Sequence, residues 1–103
     1  MESEAHEFIA RDNRRYTVLV IYDISDTKRR NKMVAFLEQY TTRVQKSAFE
    51  GSLTPREYEA VTKGAPKFIR KTTDSLRIYI LADSSTVRSW GLGEVRTDDV
   101  III

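Results

Sequence analysis

The sequence predicts an α+β fold in a single domain, with two helices lying on one face of a sheet. Three observations predict it. Two segments, 16–23 and 76–81, are rich in β-branched and aromatic residues and suit strands. Two others, after Ser25 and after Thr54, open with helix-start residues and continue with apolar residues at helical spacing. Between the helices, residues 41–53 suit extended backbone.

The elements follow in order. Residues 1–15 lack a sustained apolar period and read as a frayed N-terminal tail, leaving 16–103 as the domain. The run Val18-Leu19-Val20-Ile21-Tyr22 is apolar on both sides of a pleat, as in a central strand covered on both faces. It stops at Asp23, and Ser25-Asp26-Thr27 supply turn and N-cap chemistry. The helix that follows spaces Met33, Val34, Leu37 and Tyr40 along one stripe. Residues 41–53 fit either one bent strand or two short ones, because alternation falters around Gln45-Lys46-Ser47. Thr54-Pro55-Arg56-Glu57 then combines a cap, a proline at the first helical position and a capping-box glutamate. Gly64 and Pro66 should end or kink that helix before Phe68 and Ile69. In 76–81, Leu76, Ile78 and Ile80 share one face and Arg77 and Tyr79 the other. The sequence closes on an apolar strand, Val100-Ile101-Ile102-Ile103, after Asp98-Asp99.

This order is that of a split βαβ, ferredoxin-like βαββαβ sandwich with an added C-terminal strand. One sheet face then lacks a helix to cover it, and a bare apolar terminal strand is an aggregation hazard unless paired. Both point to a homodimer in which that strand joins a sheet, in one reading the neighbour's.

Composition narrows the chemistry. The 103 residues include no cysteine and one histidine, His6, in the polar tail. Thiol nucleophiles, thiolate zinc sites, disulfides and a histidine triad within one subunit are thereby set aside. No apolar run reaches 18 residues and no charged-then-apolar leader opens the sequence, so it reads as soluble, cytoplasmic and without a membrane partner. Net charge is only +2, but it is uneven: residues 1–12 carry −3, residues 26–46 carry +4 and residues 63–77 carry +4. Two basic segments suggest a polyanion, although solvated helix faces have the same pattern.

Asp23 is the sharpest candidate. A carboxylate at the carboxyl end of a buried strand sits where sheet proteins place ligands, and a charged one there needs a partner or a metal. The competing reading is a cap for the next helix. Lys28-Arg29-Arg30 occupies the first helical turn, where the macrodipole disfavours cations. A bound phosphate would offset that cost, and solvent screening is the plain alternative. Asp23 beside such a turn describes a carboxylate able to hold Mg²⁺ next to a phosphate clamp, as phosphodiester cleavage requires. One Asp is a poor Mg²⁺ site, and a two-fold axis bringing two copies of Asp23 together would complete it. Asp26 is an accessory from the loop whose first task is capping. Glu50 is either a further ligand or an ion-pair partner of Arg43. Ser47 either touches phosphate or occupies a bend. No P-loop, dinucleotide fingerprint, nucleophile elbow or zinc spacing is present, and Gly91-Leu92-Gly93 reads as a loop.

These residues also match a family. Val18-Leu19-Val20-Ile21-Tyr22-Asp23-Ile24 followed by Lys28-Arg29-Arg30-Asn31-Lys32 resembles the opening of the small CRISPR-associated adaptation protein called Cas-two. The stretch from Tyr40 to Gly51 resembles that family's second signature and Asp74 to Leu81 its third, with departures at Ala48, Thr42 and the longer tail. The resemblance implies a ferredoxin-like homodimer that bridges the CRISPR integrase and supports the DNA of a new spacer, in antiviral defence. It also implies a Mg²⁺-dependent endonuclease acting on RNA or duplex DNA, with Asp23 as the metal residue. By position, Arg29 or Arg30 is implied as a phosphate contact. Arg43, Ser47, Phe49 and Glu50 match the second motif with roles left open. Two functions therefore stand side by side: a metal-dependent phosphodiesterase, and a non-catalytic nucleic-acid-binding scaffold of the integrase.

Overall fold

Strand β1 (Tyr16–Asp23) takes the centre of the sheet because its apolar residues satisfy neighbours on both edges. A computed structural model describes residues 14–82 together with Arg88 and Trp90. Along β1, Val18, Val20 and Tyr22 are buried beneath the helices, and Leu19, Ile21 and Asp23 point to the opposite face. That opposite face is open in the single chain: Ile21 is 39% exposed. The apolar run therefore has one covered face and one bare one.

Helix α1 (Thr27–Leu37) begins where the sequence places it. Asp26 is its N-cap, accepting the backbone N–H of Arg29 at 2.9 Å. Met33 and Leu37 are fully buried against β1. Tyr40 lies past the helix end, half-buried, with its ring 5.4 Å from that of Phe36.

Residues 42–53 form two strands rather than one bent strand. β2 (Thr42–Gln45) and β3 (Ala48–Leu53) pair antiparallel across a tight turn at Lys46-Ser47. A bulge falls between Arg43 and Gln45, which accounts for the broken alternation there. Phe49 and Leu53 are fully buried under the helices, each contributing about 1.5–3 kcal/mol by leaving water. Gly51 is required because a Cβ there would meet Thr41 Cγ2 at 2.7 Å.

Helix α2 (Pro55–Gly64) opens on the expected capping box. Thr54 Oγ1 accepts from the Glu57 N–H at 3.1 Å, and Glu57 Oε1 accepts from the Thr54 N–H at 2.9 Å. It stops at Gly64 and tightens into a 3-10 turn, Ala65–Phe68, that packs Phe68 against Phe36 of α1. β4 (Ser75–Leu81) then pairs antiparallel with β1, with Leu76 and Ile78 packed against the core and Arg77 and Tyr79 on the open face.

The sheet order is β2-β3-β1-β4, with both helices on the face lined by Val18, Val20 and Phe49. This is the α+β arrangement of a ferredoxin-like sandwich. No helix among the described residues is long and apolar enough to cross a membrane. Residues 98–103, read as a terminal strand, the loop Gly91–Gly93 and tail residues 1–13 lie outside the described residues. Tail residue Arg15 is anchored, donating to Ser52 Oγ and to the Ser52 carbonyl at 3.0 and 2.8 Å. Trp90 is 78% exposed, so it is no part of the core.

Candidate active-site cleft

The antiparallel registers bring three connections to one end of the sheet. β1 ends there at Asp23, paired with Ser75 at the start of β4. The β2–β3 turn arrives beside it, since Ile21 faces Ala48. α1 starts at the same end, and the connection from α2 to β4 returns there. Charged residues far apart in sequence thus become neighbours.

Between the start of α1 and the β2–β3 turn lies a cleft of about 460 Å³. Asp23, Thr27, Arg30, Asn31, Arg43, Lys46 and Ser47 supply its polar lining, over Tyr22, Ile24 and Val34. Asp23 is exposed at its mouth. Arg30 curls back over the β1–α1 loop: Nη1 donates to the Ile24 and Ser25 carbonyls at 2.8 and 3.2 Å, and Nη2 to Thr27 Oγ1 at 2.8 Å. Arg43 donates through Nε and Nη2 to the Lys46 carbonyl at 3.1 and 2.6 Å. Its guanidinium stands 5.7 Å from the Phe49 ring centroid. The Tyr22 hydroxyl donates to the same Lys46 carbonyl at 3.4 Å.

Both guanidinium groups are therefore oriented by neutral carbonyl and hydroxyl oxygens. Neither has a carboxylate partner among the described residues, so their charge remains available to an anion. The Tyr22 hydroxyl registers it: burial pushes its pKa up, while the Arg43 and Arg30 cations pull it down.

Arg29 corrects an expectation. Read beside Arg30 as a phosphate contact, it turns instead to Asp74, with Nη2 2.7 Å from Oδ2 and its side chain only 21% exposed. The Asp74 side chain is completely buried. It also accepts from the Ser25 N–H and Oγ at 3.1 and 3.2 Å, the Arg70 N–H at 2.8 Å and Thr73 Oγ1 at 2.9 Å. Burial works to raise its carboxyl, but these donors and the guanidinium outweigh that and hold it well below the usual carboxylate range. Asp74 latches the β1–α1 loop and α1 to the start of β4.

Glu50 is a second correction. It neither pairs with Arg43 nor lines the cleft. In register with Leu19 and Thr42, it lies on the open-face side of the sheet, whereas Arg43 sits opposite Phe49. Glu50 is 7% exposed, its Oε1 has no hydrogen-bond partner among the described residues, and burial raises its pKa. Phe49 is the buried floor under Arg43 and touches no solvent. Asp26 caps α1, and the Arg29 N–H holds its carboxyl below its ordinary value. Lys28 is exposed on the first turn of α1, outside the cleft lining. Asn31 and Lys46 are lining residues that sequence reasoning did not single out. Their signal was present: Thr27, Arg30, Asn31 and Val34 lie on one side of a helix by period, and Lys46 adjoins Ser47 in a turn.

For a hard cation the cleft offers one carboxylate, Asp23, with the hydroxyls of Thr27 and Ser47 and the Asn31 amide oxygen. No group of three metal-binding side chains occurs among the described residues. The donor type fits Mg²⁺, which keeps several waters and takes substrate phosphate, and the described lining residues supply one carboxylate toward it.

The model of CRISPR associated protein Cas2 matches residues 16–88. The chain belongs to this family. A Cas2 protein of Synechocystis, named a CRISPR-associated endoribonuclease, is 37% identical over 78 residues, 74% of this chain and 85% of that one. One of Pyrococcus furiosus, named likewise, is 32% identical over 84 residues, 82% of this chain and 98% of its own. Among solved structures, Streptococcus pyogenes Cas2 superposes with a TM-score of 0.59 at 35% identity, covering 66% of this chain and 88% of that one. A hypothetical protein of Thermus thermophilus superposes at 0.68 and 36% identity, covering 76% and 93%. The three Cas2 motifs read from the sequence all fall within the matched span, and the cleft is built from the first two.

Proposed function

We propose that this Cas2 chain is a Mg²⁺-dependent endonuclease on RNA or duplex DNA that works as a homodimer within CRISPR spacer acquisition. The observation that carries this is the exposed Asp23 carboxylate beside Arg30, Arg43 and Lys46, with both guanidinium groups oriented by carbonyls and without an acid partner among the described residues. Names of relatives such as the Synechocystis and Pyrococcus proteins support endoribonuclease chemistry.

Arg30 and Arg43 are preorganised to hold backbone oxygens, so little ordering cost attends binding. Asp23 would hold Mg²⁺ together with Asp23 of a second copy. Bound there, the ion would polarise the phosphate and lower the pKa of water. Dimerisation is supported by the open sheet face, where Ile21 and Tyr79 are 39% and 40% exposed, and by the apolar sequence Val100-Ile101-Ile102-Ile103.

A scaffold role is the second reading. Three cations line the cleft against one acid, a balance suited to holding a backbone, and bridging the integrase needs no cleavage. Asp23→Ala separates the two readings. Loss of RNA and DNA cleavage with duplex binding intact supports the nuclease. Undiminished Mg²⁺-dependent cleavage by the variant would sink Asp23 as the metal residue, and no cleavage by the wild type would sink the nuclease. Spacer acquisition that survives the substitution in cells assigns the physiological role to the scaffold.

A further inference from the structure

The second basic segment, 63–77, plays no part in the cleft, and the fold divides it. Lys63 is spent on Glu59 at 2.8 Å, one helical turn away. Arg77 lies on the open sheet face, donating to the Tyr79 hydroxyl at 3.1 Å. Lys67, Arg70 and Lys71 remain, all exposed, on the 3-10 turn and the connection to β4. None of them has an ion-pair partner among the described residues.

Their backbone is fixed. The Arg70 N–H donates to Asp74, and the Thr73 and Asp74 N–H groups donate back to the Arg70 carbonyl at 3.0 and 2.8 Å. Asp74 itself is buried and spent on Arg29. Asp26, also close by, feels the Arg70 charge but caps α1. The connection leads directly into Ser75, the register partner of Asp23. Arg70 and Lys71 therefore flank the same strand end as the cleft, on the other side of the β1–α1 loop, with Lys67 three residues before Arg70 on the 3-10 turn.

We propose that Lys67, Arg70 and Lys71 form a second binding site for a phosphodiester backbone, so that one duplex crossing this end of the sheet touches both the cleft and the α2–β4 connection. This rests on the nucleic-acid reading of the cleft. A continuous polyanion suits the placement because two separate sets of cations, without acid partners among the described residues, share one edge, and a duplex presents a charge about every 1.7 Å.

The test is the triple variant Lys67→Ser, Arg70→Ser, Lys71→Ser in the full chain, with binding to a duplex of ~30 base pairs measured across a salt series. These side chains make no hydrogen bonds among the described residues, so the variant should melt with the wild type. The slope of log affinity against log salt should fall by about 2 to 3, with at least ~10-fold weaker binding near ~0.1 M salt. The charge-preserving set Lys67→Arg, Arg70→Lys, Lys71→Arg should restore both. An unchanged slope, with Lys46→Ser still losing affinity, overturns this site and leaves the cleft standing. No duplex binding by the wild type overturns both. Loss of poly-glutamate binding with the duplex slope retained also overturns the site, assigning these cations to an acidic protein.

Discussion

Arg29 and Arg30 are adjacent in sequence and alike in chemistry, yet they do opposite work. Arg29 is largely buried and neutralised by an acid that five donors hold in place. Arg30 is held by carbonyls and one hydroxyl, which orient a guanidinium without consuming its charge. The difference teaches how a small domain makes a rigid anion site: one cation fastens the loop, and its neighbour is free to bind. The helical rotation of about 100° per residue sends the two to different sides of α1.

The largest expected effect breaks the latch. Arg29→Ala leaves Asp74 buried without its counter-charge, and should lower the melting temperature by more than about 10 °C. Calorimetry checks this, and duplex affinity measured well below the transition should stay within about threefold of wild type. Arg30→Ala should reverse the pattern. Duplex affinity at ~0.1 M salt should fall about tenfold, while melting falls by only about 5 °C from the lost loop contacts. Equal effects of the two substitutions on both measurements would erase the distinction.

The two buried acids sharpen the same contrast through pH. Asp74 has a folded pKa below its unfolded value of about 3.9. Its stabilisation is therefore fully present above about pH 4 and is lost as pH falls toward the folded value. Asp74→Asn should melt lower at pH 7 and show a shallower loss of stability below about pH 4. Glu50 has the opposite sign, because its folded pKa is raised by burial. Folding then favours its protonated form, and stability declines as pH rises from its unfolded value of about 4.3. Glu50→Gln should flatten that decline and raise the melting temperature at pH 7, measured by thermal scans from pH 4 to 8. The smallest effect belongs to a single lining cation: Lys46→Ser should reduce the salt-dependence slope of duplex binding by about 1.

Much of the fold was legible in local chemistry. The Asp26 cap, the Thr54–Glu57 capping box and the stop at Gly64 each occur where residue types demand them, because caps and turns are short-range interactions. Asp23 at a strand end was legible for the same reason. Arg29 was not, since its partner Asp74 is 45 residues away. The Arg43–Glu50 pair was misread because β2 and β3 were not resolved as a hairpin. Once Arg43 is in register with Phe49, the pleat sends Glu50 to the other face.

By itself the sequence determined the two helices and the strands at 16–23 and 76–81, the family, the absence of thiol chemistry and the presence of two basic segments. Those follow from composition, period and motif, which need no knowledge of who touches whom. Only the tertiary structure decided which cations remain available. It brought the start of α1, the β2–β3 turn and the connection into β4 to one end of the sheet, spending Arg29 and Lys63 on acids and leaving Arg30, Arg43, Lys46, Lys67, Arg70 and Lys71 without an acid partner among the described residues. Charge is a property of the residue, whereas its compensation depends on neighbours that only folding supplies.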